Sequence, residues 1–233
     1  MLGIAALAAL AAVQVVDGPE DQADPPPSTT ATIGTTAPPT TTTTTATAAT
    51  TTTIDPGDLV PTDRFAAAPG RSPTVGTGPL RTYSVEVEEG IPIDPAAFAA
   101  SVDATLADPR GWTAPGDVSL QRVGPDDRPG FRVRLATPGT VDAHCAPLQT
   151  NGIYSCRQGA DVMINVRRWL QGAAESLLSL ADYRHYVISH EVGHALGHGH
   201  VGCPGPGEVA PVMLQQTKGL DGCRPNPWPY PQG

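Results

Sequence analysis

No lysine or arginine occurs before Arg64. The apolar run from Met1 to Val16 therefore lacks the basic start of a complete signal peptide. It is also short of the roughly 20 residues that a membrane-spanning helix needs. The reading that fits both facts is an export signal or membrane anchor over residues 1–16 whose basic start lies upstream of this methionine. A buried core helix is the rival, but the segment leads into a stretch with no apolar surface to pack against. Aromatic residues are scarce, at 5%. There is no C-x-x-C pair of the kind that builds closed zinc sites. There is no basic patch either, which excludes nucleic acid as a partner.

From Asp17 to Pro79 the chain is mostly Thr, Pro, Ala, Gly and acidic residues. Ser28–Thr53 holds 16 threonines in 26 residues. Burial cannot offset the entropy of ordering such a composition, so residues 17–79 are expected to be a disordered Thr/Pro-rich linker, either a glycosylated stalk or a plain spacer. The net charge of −9 is mostly a property of this region. Residues 1–63 carry 7 acids and no base, leaving 16 acids against 14 bases in the rest.

Residues 80–233 are long enough to bury one core. Tyr83–Val87 alternates as a half-buried strand. Asp94-Pro95 offers an N-cap and a first-turn proline for a helix to about Leu106. Val118–Val123 and Phe131–Ala136 read as strands divided by a turn at Gly124–Asp127. Asn151-Gly152, between Ala143 and Cys156, is the strongest hairpin signal. Val162–Val166 reads as an interior strand and Leu180–Leu196 as a helix. Four cysteines, Cys145, Cys156, Cys203 and Cys223, predict two disulfides in an exported protein. Three pairings are possible, and local spacing favours Cys145–Cys156 with Cys203–Cys223. An even count leaves no thiol that could hold a metal site latent.

The chemistry concentrates in His190-Glu191-Val192-Gly193-His194-Ala195-Leu196-Gly197-His198-Gly199-His200, an H-E-x-x-H-x-x-G-x-x-H pattern. His190 and His194 are i and i+4, so their imidazoles share one helix face and can grip one metal ion. Glu191 is one step round, within reach of a water on that metal. Gly197 can take the positive φ that breaks the helix, and the chain can then return His200 as a third nitrogen. Three protein ligands plus water is the open arrangement of a catalytic zinc. His198 competes for the third place if the helix continues. His185 reads as a surface residue and His144 as structural. Tyr183, Tyr186, Trp228 and Tyr230 read as packing.

With these residues in place the chain resembles the metzincin clan of zinc metalloproteases, whose signature is this motif followed by a Met-turn. Pro211-Val212-Met213-Leu214 is the candidate turn, with Met213 13 residues after His200. The resemblance makes Met213 an apolar floor beneath the metal. Gln215 stands where some members carry tyrosine, and Val201 where several carry an acid, serine or proline. The likeness therefore speaks for the metal ligands and Glu191, and not for substrate choice. From about Tyr83 to Trp228 the chain also resembles a secreted actinobacterial domain family of unknown function.

The resemblance implies an α+β, zincin-like fold: a small mixed sheet, an active-site helix and a short C-terminal Met-turn subdomain braced by disulfides. It implies an edge strand, placed near Ile153–Ser155, along which an extended substrate lies. The expected function is an extracellular or surface-held zinc peptidase with one catalytic Zn2+ and Glu191 as general base. It would be a monomer that touches membrane only through residues 1–16. Its partner would be a protein or peptide, cell-wall peptides included. A zinc-stabilised binding module without turnover is the rival.

Overall fold

The computed structural model describes residues 55–233. The expectations for residues 1–16, and for the linker as far as residue 54, lie outside the described residues. The strands are β1 (Phe65–Ala67), β2 (Val75–Gly76), β3 (Leu80–Glu88), β4 (Ser119–Arg122), β5 (Phe131–Ala136), β6 (Cys156–Gln158) and β7 (Asp161–Asn165). They form one mixed sheet ordered β2-β4-β3-β5-β7-β6, with β1 also on β3. β4, β3, β5 and β7 run parallel, and β1, β2 and β6 pair antiparallel at the margins. The helices are α1 (Pro95–Ala107), α2 (Pro138–Cys145), α3 (Val166–Gln171) and α4 (Leu180–Ala195).

The strand and helix starts follow local chemistry. Asp94 caps α1 by accepting from the Ala97 amide, with Pro95 in the first turn. Ser179 caps α4 by accepting from the Asp182 amide, and the Ser179 hydroxyl donates back to the Asp182 carboxylate. Val85, Val133, Val162 and Ile164 are almost fully buried in the sheet interior. They meet Phe98, Val102 and Leu106 of α1 and Ile188 and Val192 of α4 in one core. β4 and β5 both run parallel to β3 and never pair with each other. β4 lies against Leu80–Tyr83 and β5 against Tyr83–Val87. A short turn at Gly124–Asp127 suffices because one strand ends where the other begins along β3.

Two expectations are corrected. The linker does not extend to residue 79, and the folded domain starts well before residue 80. Pro56 and Ala68 are buried, β1 pairs with Glu86–Glu88, and β2 pairs with β4. The buried Glu88 carboxylate also accepts from the amides of Thr62 (2.6 Å), Asp63 (2.9 Å) and Thr137 (2.7 Å) and from the Thr140 hydroxyl (2.6 Å). A composition argument counts side-chain surface, whereas these residues are held by main-chain pairing and one carboxylate. The second correction concerns Asn151-Gly152, which does not turn a hairpin. The residues before it form α2, capped by Thr137 with Pro138 in the first turn. The positive φ values of Asn151 and Gly152 serve a helix-to-strand turn, and the antiparallel pair is β6 with β7.

The disulfides are Cys145–Cys156 and Cys203–Cys223, as spacing favours, and no free cysteine remains. Two disulfides fit an oxidising, extracellular setting. Among the described residues no helix is long and apolar enough to cross a membrane.

Candidate metal centre

α4 carries the site and its end shapes it. The helix stops at Leu196 and Gly197 takes φ +101°. The His198 amide donates to Gly193 O (2.9 Å) and the Gly197 amide to His194 O (3.2 Å). This pair of bonds is the Schellman closure that a glycine in that conformation permits. The chain reverses there and brings His200 back over the face holding His190 and His194. Each of the three can offer one ligand nitrogen, and these nitrogens lie within 4.8 Å of one another.

Hydrogen bonds set which nitrogen faces inward. His190 Nδ1 donates to Val212 O and His194 Nδ1 to His198 O, both at 2.8 Å. With Nδ1 protonated, each ring presents the lone pair of Nε2. Nε2 of His194 and His200 are 3.0 Å apart, close to the roughly 3.3 Å that two nitrogens show on one tetrahedral zinc. A proton shared by these two rings would explain that distance alone. A cation also explains why a third imidazole converges.

Electrostatics favour the metal-ready state. Burial, and then the neighbouring His194, His200 and Lys218, push the His190 imidazole down to about 3. Burial also lowers His194, with Arg157 and His198 adding to it, and lowers His200, with His194 and Lys218 adding to it. All three are therefore neutral at neutral pH, as metal ligation requires. Glu191 is buried beside them, and burial raises its carboxyl to about 8.

The floor is the turn Pro211–Leu214. Met213 is buried, and its sulfur lies only 2.6 Å from where a Cβ on Gly193 would stand. Trp112 closes the same space: its Nε1 donates to Ser189 O (2.8 Å), and its ring stacks on His198 with centroids 4.2 Å apart. Below the turn, Gln216 and Asn226 lock the C-terminal segment. Gln216 Nε2 donates to Asn226 O (2.7 Å), and Asn226 Nδ2 donates to Ala210 O (2.9 Å) and Trp228 O (2.8 Å). The Cys203–Cys223 disulfide closes the loop containing Met213.

The structure thus brings together His190, His194, His200, Glu191, Gly197 and Met213. His198 does not compete, because its ring is occupied by Trp112 and it serves His194 through its carbonyl. His185 is half-buried rather than on the surface, bonded to Thr105 (2.9 Å) and tilted against Trp228. His144 binds Asp63 (2.6 Å) away from the site. Trp228 packs between His185 and Arg110.

Tyr186, which sequence reasoning assigned to packing, does more. Its hydroxyl donates to Leu214 O (2.9 Å) and accepts from the Gln216 amide (2.8 Å), so it ties α4 to the turn at Pro211–Leu214. Its position four residues before His190, on the same helix face, is the signal that could have found it. The roles of Trp112, Gln216 and Asn226 have no comparable sequence signal.

The imidazoles and Glu191 open into a cleft of about 530 Å³. Tyr154, Ser155 and Arg157, leading into and along β6, line it from one segment, and Gln215, Thr217 and Lys218 from the loop after Met213. The margin of the sheet here is β6 itself, Cys156–Gln158, immediately after the Ile153–Ser155 segment expected from the sequence.

A family model described as "Protein of unknown function (DUF3152)" matches residues 56–231, and the chain belongs to this family. No curated protein and no solved structure matches the chain.

Proposed function

We propose that this member of the DUF3152 family is a zinc-dependent extracellular peptidase of metzincin-like construction. The observation that carries the reading is Glu191: a buried carboxyl beside three convergent, neutral imidazoles, lining an open cleft. A purely structural metal site is closed by four ligands and has no use for such an acid.

The donor set suits zinc: three imidazoles converge, and backbone carbonyls hold Nδ1 of two of them, His190 and His194. Zinc held by His190, His194 and His200 would supply an acidified water, with a pKa of about 7, and a Lewis acid for the scissile carbonyl. Glu191 would serve as the general base beside that metal, accepting a proton on its carboxylate and passing it to the leaving amine. Burial sets this carboxyl high, at about 8, and a nearby dication pulls it back toward working pH. Met213 and Trp112 back the helix and keep water from that side. Tyr186 holds the floor at a fixed distance from His190.

The catalyst would be secreted or surface-held and monomeric, acting on proteins or peptides, those of the cell wall included. The rival is a zinc-stabilised binding module. Gln215, in place of the tyrosine some metzincins carry, favours it, and the buried Glu191 counts against it.

The test is incubation of the zinc-loaded full chain with a diverse peptide mixture, with and without chelator, beside Glu191→Ala. Chelator-sensitive cuts that disappear in the variant, while its zinc content is unchanged, support the reading. Undiminished cutting by the variant, or no cutting by the zinc-loaded protein, refutes it.

A further inference from the structure

We infer that the cleft recognises peptides bearing a free carboxylate near the metal centre, with Arg157 and Lys218 as the recognising residues. This deepens the peptidase reading and rests on it for the identity of the ligand as a peptide. The shared chemistry is a carboxylate, and it can come from an acidic side chain or from a chain terminus.

The first observation is the charge of the lining. Among the described residues Glu191 is the only acid there, and it is buried, whereas Arg157 and Lys218 are both exposed at the cleft. The protein as a whole has net charge −9, and Lys218 is its only lysine. Two of the 14 bases that stand against 16 acids beyond residue 63 therefore lie beside the histidine cluster that could hold a metal ion.

The second observation is that, among the described residues, no carboxylate neutralises either cation. Arg64, Arg71, Arg110, Arg122, Arg132 and Arg134 are each paired with a carboxylate, and Arg168, Arg184 and Arg224 donate to main-chain carbonyls. Arg81, Arg128 and Arg167 also lack a carboxylate partner, but they do not line the cleft. Among the described residues, the head groups of Arg157 and Lys218 have no such partner. Lys218 Nζ instead stands 5.1 Å from the centre of the Tyr154 ring. That contact orients an ammonium without neutralising it.

The two residues come from different segments of the cleft lining, Arg157 from β6 and Lys218 from the loop after Met213. A peptide entering the cleft would pass both. The guanidinium can take a carboxylate through two parallel N–H donors, and the ammonium acts as a mobile point charge. Like charges grouped without counter-ions raise the affinity for anions and repel cationic peptides.

The experiment uses the zinc-loaded full chain and four labelled hexapeptides of one sequence. They carry Glu or Gln at one internal position, each with a free or an amidated C-terminus. Fluorescence anisotropy should show at least one carboxylate form binding about tenfold tighter than the neutral peptide at low salt, with the gap narrowing at high salt. The preferred member identifies the source of the carboxylate.

The preference should vanish in the double variant Arg157→Gln/Lys218→Gln. It should also weaken on reversible citraconylation of Lys218, the only side-chain amine, in protein that is already folded. Equal binding of all four peptides, no measurable binding of the acidic ones, or a preference that survives in the double variant overturns the inference. Cleavage of the same peptides is scored separately. Preference without cleavage defeats the peptidase reading alone, and cleavage without preference defeats only the carboxylate inference.

Discussion

Gly193→Ala is a perturbation for which ordinary helix chemistry and this structure predict opposite signs. In a helix interior, alanine in place of glycine gains about 1 kcal/mol. At this position the new methyl would stand 2.6 Å from the Met213 sulfur and 2.6 Å from Trp112 Cζ2. The sulfur ends a flexible side chain and can swing aside. The indole cannot, because its Nε1 is bonded to Ser189 O and its face is stacked on His198. Forcing a methyl into such packing costs roughly 1–3 kcal/mol, and a rigid obstacle puts the cost near the top of that range. The net expectation is destabilisation of about 2 kcal/mol.

The displacement should also reach the candidate metal ligands, since Val212 O and His198 O orient His190 and His194. Misplaced supporting partners of this kind lower metal affinity by roughly 10–100-fold. The assay is urea unfolding of metal-stripped protein, so that bound zinc does not mask the change, followed by zinc titration against a competing chelator. Adding Met213→Ala should recover only part of the loss, because the Trp112 clash remains. Unchanged or increased stability of Gly193→Ala would refute the packing described for this helix.

His200→Ala and His198→Ala separate the two candidates for the third ligand. The first should reduce zinc affinity beyond the roughly 10–100-fold typical of a lost supporting partner. The second keeps the carbonyl that holds His194 and should bind within about tenfold of the parent; calorimetric titration of both variants with zinc decides, and the reverse order would sink the assignment. Glu88→Gln would turn an amide donor toward the Thr137 N–H that Oε2 now accepts, costing roughly 2–4 kcal/mol at neutral pH. Burial alone would raise the Glu88 carboxyl, but the bonds from Thr140, Thr137, Asp63 and Thr62 bring it below its ordinary value. Its contribution is therefore fully present above the unfolded value of about 4.3 and lost as pH falls through the lower folded value. Urea unfolding from pH 6 to pH 3 should show the gap between parent and variant closing at the acid end; a constant gap would show that the carboxylate charge is not the source.

The local features were legible in the chain because they rest on interactions between near neighbours. Spacing of four residues put His190 and His194 on one face, Gly197 marked the helix end, and Asp94-Pro95 opened α1. The separations Cys145–Cys156 and Cys203–Cys223 favoured the pairs that form. Where main-chain partners are distant in sequence, composition misled. Residues 56–79 looked like linker because they contain little apolar surface, yet the margins of β3 and β4 and the Glu88 carboxylate hold them. Asn151-Gly152 looked like a hairpin because its left-handed conformations suit one, and the fold spends them on leaving α2. Gly197 already favoured His200 over His198 as the third histidine, and tertiary packing adds the reason, because Trp112 stacks on the His198 ring. Tyr186, Gln216 and Asn226 acquire their roles only when the chain returns beneath α4. The sequence by itself determined which atoms could hold a metal, because that depends on residue type and helical period. The tertiary structure decided which of them converge, what supports them and which charges face the cleft, because those depend on contacts between segments that no local pattern encodes.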